Sequence, residues 1–248
     1  MPNDGDTVTI PDNPGGWTFT PDVARGFDAH VAASIPFYGN IQDLVAETTD
    51  WLAPRGAVIA DLGAATGTTA ARIVDRHPRR EHRFHLYDGA DAMLTTAASK
   101  INTGTTLHPG PLQTTPFDHP PAALTLALFT LQFVDPAERT AILRKAREAS
   151  RDDGALILAE KLRLPDSRWA EIGTNSSHDH KARCGVTAPA IRQKERSLRG
   201  VLIPWTDTEN RRALTRAGWQ PPSVLFRWHQ WAVYGAFADS LASTSPTP

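Results

Sequence analysis

Four short apolar runs, at residues 57–62, 83–87, 122–129 and 155–159, are bounded by Gly, Pro or Asp, and segments of helical period stand between them at 68–76, 91–100 and 137–150. Runs this short, without polar alternation, read as strands buried on both faces. Strands that alternate with helices close into a parallel sheet with right-handed crossovers. Asp135 at the mouth of the third helix and Pro136 at its first position mark where it begins. A weaker strand candidate lies at 105–108. The pair 223–228 and 230–237 is rich in Trp, Phe, Val and Tyr with only His229 between, and is expected to close the sheet as an antiparallel hairpin. The expected fold is therefore α/β and Rossmann-like, with a central, mostly parallel sheet and an antiparallel C-terminal hairpin.

At 248 residues with 40% apolar content, the chain fits one domain. Pro, Gly, Asn and Asp dominate its start and Ser, Thr and Pro its end, so residues 1–16 and 239–248 are expected to be flexible tails around a single unit at 17–238. Segments 21–52 and 165–219 fall outside the strand and helix alternation and are expected to be helical lids. Ligands of an open α/β sheet bind beyond the carboxyl ends of the strands, where such lids can cover them.

Charge and cysteine content narrow the function classes. Lys and Arg number 26 against 27 Asp and Glu, so no global basic field exists and nucleic acid is an unlikely partner. The stretch 181–199 does concentrate Lys181, Arg183, Arg192, Lys194, Arg196 and Arg199 against Glu195, but no aromatic residues interleave, and it reads as a solvated helix face. The longest apolar run, 122–134, is broken by Thr125, Thr130 and Gln132 and falls short of the roughly 20 residues a bilayer requires, so no membrane partner is expected. Met1 to Asp6 lack a signal-peptide pattern. Cys184 is the sole cysteine, which excludes an internal disulfide framework and points to the cytoplasm.

The chemistry is carried by Asp61-Leu62-Gly63-Ala64-Ala65-Thr66-Gly67, which ends the first strand and opens a helix at Thr68. Glycines at Gly63 and Gly67 let backbone approach a ligand beside Ala64, and the helix start offers unpaired N–H groups to a carboxylate or phosphate. The spacing is not the G-x-G-x-x-G of a dinucleotide site. Asp88, followed by Gly89, ends the second strand, where a carboxylate can accept from both ribose hydroxyls. Alone it is as readily a turn residue. With the glycine turn it points to adenosine joined to an amino acid, which is S-adenosylmethionine.

On these residues the chain resembles the class I S-adenosylmethionine-dependent methyltransferases and, within them, the carboxy-S-adenosylmethionine synthases. The likeness runs from about Trp17 to Ala238, through Trp17-Thr18-Phe19, Pro36 with Tyr38, Phe129-Thr130-Leu131-Gln132-Phe133, Glu160-Lys161 and Gln193-Lys194. It implies the fold above, S-adenosylmethionine as cofactor and a small-molecule partner, and allows a homodimer. It makes Tyr38 a pocket residue, and places Leu128 where the family has asparagine and Pro111-Leu112 where it has an acid-containing pair near adenine. In the family a late helix supplies an arginine to the extra carboxylate of carboxy-S-adenosylmethionine. Laid on that pattern without a gap, this chain has Glu195 there.

Cofactor contacts are thus expected from Tyr38, Asp61, Gly63, Ala64, Gly67, Asp88, Gly89, Leu112 and Leu128. For the reaction itself, Tyr38 offers a ring to a sulfonium, or packs a helix. His178, in the His178-Asp179-His180 cluster, can accept a proton, or caps a helix end. Glu195 can hold a cationic group of the acceptor, and Trp205 can add an aromatic wall, with core packing as its plainer role. No metal site is expected from one short cluster. Methyl transfer to a small molecule leads these readings. The alternatives are carboxy-S-adenosylmethionine synthesis from prephenate, internal displacement giving azetidine-2-carboxylate and methylthioadenosine, and a non-catalytic module that binds the cofactor.

Overall fold

The computed structural model describes residues 8–101 and 104–239; residues 1–7 and 240–248 of the expected tails lie outside them. In chain order the elements are α1 (Pro21–Ser34), α2 (Tyr38–Leu52), β1 (Val58–Leu62), α3 (Thr68–Arg76), β2 (Arg83–Asp88), α4 (Asp91–Lys100), β3 (Thr105–Pro109) and β4 (Ala122–Leu128). A 3-10 turn, Leu131–Phe133, leads to α5 (Pro136–Glu148), β5 (Ser150–Lys161), α6 (Ser167–Arg183), α7 (Ala188–Ser197), α8 (Asp207–Arg216), β6 (Ser223–Trp228) and β7 (Trp231–Phe237). Helix α5 opens where its sequence dictates, with the N–H of Ala137 donating to Asp135 Oδ1 at 2.8 Å.

The strands form one sheet in the order β3-β2-β1-β4-β5-β7-β6. β3 to β5 pair in parallel, and β7 runs antiparallel between β5 and β6. Alternate residues feed two cores: Ile59, Phe84, Leu124 and Ile157 lie in one, and Val58, Leu62, Leu156 and Tyr234 in the other, with Leu143, Leu214 and Trp219. The chain leaves β1 toward β2 on one side and later returns as β4 on the other. That reversal opens a crevice beyond their carboxyl ends.

Two expectations are corrected, and a third gains contacts that local composition does not show. The strand expected at 155–159 is the buried part of the longer β5, whose polar start at Arg151 to Asp153 is exposed beside an irregularity in its pairing with β4. The hairpin turn is His229-Gln230, because Trp228 pairs with Trp231 and His229 takes the left-handed conformation at φ 43°. Residues 8–16, part of the expected tail, make contacts with the folded unit. Gln193 Nε2 donates to Ile10 O at 2.8 Å and Asp12 Oδ1 at 2.6 Å, and Val8 is buried in a small cluster with Trp17, Val23 and Met93. Gln193, 183 residues from Ile10 and 181 from Asp12 in sequence, holds this segment, which local composition cannot reveal. Of the late segment expected as a lid, α6 and α7 lie over the crevice while α8 packs on α5.

Candidate active site

The turn after β1 is built by backbone sterics. Gly63 has φ 82°, and a Cβ there would meet Thr130 Oγ1 at 2.2 Å, so only glycine lets the turn that follows β4 approach so closely. The N–H groups of Gly63 and Ala64 both donate to Tyr87 O, at 2.7 and 3.0 Å. Asp88 completes the turn, accepting from the N–H of Ala65 and of Ala90, each at 2.9 Å. Burial raises its carboxyl above the usual range although both bonds oppose this. Asp61 is fully buried beneath it, and burial, with the Asp88 charge added, pushes its carboxyl up to about 7.

A cavity of about 610 Å³ opens above this turn, within the roughly 300–1,000 Å³ range of small-molecule sites. Tyr38, Asp61, Gly63, Ala64, Asp88, Gly89, Leu112, Leu128, His178 and Glu195 all line it. The cavity fits an adenosyl group at its β2 end. A Cβ added at Gly89 would meet nothing within 4 Å, so that end is open, with apolar Met93 and Leu112 beside the Asp88 carboxylate. Tyr38 stands against Phe129, their ring centres 6.1 Å apart, and its hydroxyl is pushed up by burial and by Asp28 and Asp61.

Two expected residues do not line it. Gly67 caps α3 at φ 71°, and a Cβ there would come within 2.8 Å of Ala97 Cβ, so the packing of α3 on α4 itself requires glycine. Trp205 lies away from the cavity. Its ring carries the Arg139 guanidinium at 4.7 Å and packs on the core that includes Trp219. Sequence order places Trp205 near the lid, but Arg163 N–H donates to its carbonyl at 2.9 Å and draws it toward the residues that follow β5.

The start of α3, expected to receive a ligand carboxylate, meets one from the chain itself. Asp28 Oδ1 of α1 accepts from Thr66 Oγ1 at 2.5 Å and Thr68 Oγ1 at 2.9 Å, and its Oδ2 accepts from Lys100 Nζ at 2.5 Å. Burial alone would raise this carboxyl, but the Lys100, Thr66 and Thr68 bonds outweigh it and hold it below the usual range. Helix α1 is thereby latched to the glycine turn. Only the arrival of α1 in space brings Asp28 there, and no motif announces it.

At the β5 end, the Phe-Thr-Leu-Gln-Phe and Glu-Lys motifs form one structure. Glu160 accepts from the Leu131 N–H at 3.0 Å, and Gln132 Oε1 accepts from the Lys161 N–H at 2.9 Å. Burial pushes Glu160 up to about 8 against the pull of Arg139. These bonds aim the Lys161 side chain into the cavity, where its ammonium lies 5.8 Å from the centre of the Trp231 ring. Helix α6 presents Thr174, Ser177, His178 and Lys181 to the cavity from one face. Across from it, Glu195 Oε1 of α7 lies 2.5 Å from His178 Nε2. The basic stretch at 181–199, expected to be a solvated face, is divided: Lys181 and Lys194 line the cavity, and Arg183, Arg192, Arg196 and Arg199 are exposed. Among the described residues no group of three or more His, Cys, Asp or Glu is arranged to hold a metal, and no helix is long and apolar enough to cross a membrane.

Residues 59–154 match the family model described as a methyltransferase domain. The carboxy-S-adenosyl-L-methionine synthase of Salmonella paratyphi C is 30% identical over 219 residues, covering 86% of this chain and 87% of the relative, and that of Nautilia profundicola is 28% identical over 223 residues, covering 88% and 93%. Among solved structures, a putative O-methyltransferase from Nostoc punctiforme superposes with a TM-score of 0.64 at 16% identity, over 90% of this chain and 64% of its own. Human N-acetylserotonin methyltransferase, solved with S-adenosylmethionine, superposes with a TM-score of 0.60 at 14% identity, over 89% of this chain and 56% of its own. Those likenesses establish the fold, and the sequence relatives establish more: the chain is a methyltransferase-type enzyme that belongs to the carboxy-S-adenosyl-L-methionine synthase family.

Proposed function

We propose that this chain uses S-adenosylmethionine to methylate a small molecule, and that His178, oriented by Glu195, takes the proton of the attacking nucleophile. The observation that carries this reading is the 2.5 Å contact between His178 Nε2 and Glu195 Oε1, in the wall of the cavity that also holds Asp61 and Asp88. A carboxylate only accepts, so in the neutral ring Nε2 carries the hydrogen and Nδ1 is the acceptor.

Asp88 is assigned to the ribose hydroxyls, Gly63, Ala64 and Gly89 to close backbone approach, and Leu112 and Leu128 to the apolar walls. Asp61 and Tyr38 lie under the glycine turn and beside Phe129, where a cationic centre gains from a carboxylate and aromatic faces. When bound, S-adenosylmethionine supplies an electrophilic methyl carbon on a positively charged sulfur. The protein's part is to align the nucleophile with that carbon, exclude water with α1, α6 and α7, and remove one proton.

Carboxy-S-adenosylmethionine formation from prephenate is the second reading, favoured by the names and coverage of the sequence relatives. Glu195 opposes it, standing where the family resemblance places an arginine, since a carboxylate repels the carboxylate it would have to clamp. One experiment separates these outcomes. Purified protein is incubated with S-adenosylmethionine alone, with prephenate, and with a small-metabolite extract, and the sulfur product is identified by mass spectrometry. S-adenosylhomocysteine formed only with the extract supports methyl transfer. A carboxylated sulfonium with prephenate, or methylthioadenosine without any acceptor, overturns it.

A further inference from the structure

Lys161 and Lys181 are half-buried, partly desolvated ammonium groups in the same cavity wall, and among the described residues neither forms an ion pair or donates a side-chain hydrogen bond. The charges that act on Lys161 are Lys181, which repels it, and Glu195, which attracts it. Glu195 is itself committed to His178. Of this pair and the one carboxylate that acts on both, two ammoniums stand against one negative charge, and a partly desolvated surplus charge is unfavourable unless an anion completes it.

Position separates this charge from the cofactor end. Lys161 closes β5, and the sheet order puts β4 and β1 between β5 and β2, which carries Asp88. Three strand spacings of about 4.8 Å set the two strand ends roughly 14 Å apart. The lysines thus lie in the part of the cavity beyond the glycine turn, walled by Trp231 and Phe129.

We propose that Lys161 and Lys181 form an anion subsite that holds the carboxylate of a monoanionic acceptor, one oxygen to each ammonium, with its carbon skeleton against Trp231. The single surplus charge matches a monocarboxylate better than a dianionic phosphate. This deepens the methyl-transfer reading and rests on it, because the occupant is the methyl acceptor.

The test loads the protein with S-adenosylhomocysteine and titrates it by calorimetry with benzoate, benzamide and inorganic phosphate. Benzoate is expected to bind, and benzamide, its neutral isostere, to bind at least about tenfold more weakly. Lys161→Met and Lys181→Met are each expected to weaken benzoate about tenfold while leaving S-adenosylhomocysteine affinity within about threefold of the parent, and Lys161→Arg to retain benzoate binding. Equal affinity for benzoate and benzamide, measured on the unsubstituted protein and so independent of whether variants fold, overturns the proposal. Tighter binding of phosphate than of benzoate overturns the choice of a carboxylate. Weaker S-adenosylhomocysteine binding in both Met variants, with benzoate unaffected, also overturns it and gives the lysines to the cofactor. Failure of the unsubstituted protein to bind S-adenosylhomocysteine contradicts the cofactor reading instead, so the two failures are distinguishable.

Discussion

His178 Nε2 and Glu195 Oε1 lie 2.5 Å apart across the gap between α6 and α7, and both side chains line the cavity above the glycine turn. The contact fixes the ring's tautomer and points Nδ1 away from the carboxylate. If His178 takes the proton, His178→Gln lowers kcat for product formation about a hundredfold, and Glu195→Gln, which keeps the shape but loses the charge, lowers it about tenfold. Neither change is expected to move S-adenosylhomocysteine affinity, measured by calorimetry. Parallel losses in affinity and kcat would mean that the pair only supports the lid.

Asp88 is held by two backbone N–H groups before any ligand arrives, so its carboxylate is oriented in advance. Asp88→Asn is expected to weaken S-adenosylmethionine binding about tenfold, or about 1–2 kcal/mol, the size of a lost hydrogen bond to a charged group. Calorimetry checks it, with the melting temperature of the free protein as a control for local collapse.

Asp61 predicts a pH effect. Its folded carboxyl is raised to about 7 by burial and by Asp88, so between the ordinary aspartate value and about 7 the folded state binds more protons than the unfolded one. The contribution of Asp61 to stability is fully present at acid pH and is lost as pH rises through about 7. Asp61→Asn removes this dependence, and its melting temperature is expected to change less than the parent's between pH 4 and 8. Parallel melting curves for the two proteins across that range would contradict the assignment.

Trp205 separates packing from function. Its ring carries Arg139 and lies outside the cavity, so Trp205→Ala is expected to cost about 2 kcal/mol of stability by urea unfolding, for a partly buried aromatic. Affinity for S-adenosylhomocysteine is expected to stay at the parent value. A selective loss of affinity in a stable Trp205→Ala protein would place this residue in the site.

Asp28 makes the lid measurable. Its carboxylate ties α1 to Thr66, Thr68 and Lys100, and Asp28→Ala is expected to speed amide hydrogen exchange in α1 and around Thr66 while leaving β1 and β4 protected. Unchanged exchange in α1 would show that the latch contributes nothing to its closure.

The sheet was legible because its signal is local. Runs such as 57–62 and 122–129 are buried on both faces and contain little polar alternation, and Asp135-Pro136 marks a helix start by short-range bonding alone. The turn between the β1 and β2 ends was legible for the same reason, since Asp61, Gly63 and Asp88 sit at strand ends a few residues from the apolar runs that place them. The rest depended on distant parts of the chain. Asp28 reaches the α3 start from 38 residues away, counted to Thr66. Lys161 is aimed by Gln132, and the segment at 8–16 is held by Gln193. Gly67 and Trp205 fit their motif or segment by sequence order but stand outside the cavity lining, where their neighbours, Ala97 and Arg139, come from other helices.

The central claim is that the cavity over β1, β2 and β4 takes an adenosyl sulfur compound held by Asp88. Calorimetric titration of the purified protein with S-adenosylhomocysteine tests it most directly. Saturable binding with one site per chain, a rise in melting temperature, and a tenfold weaker constant for Asp88→Asn are the expected result. No heat and no thermal shift at millimolar ligand would contradict the account.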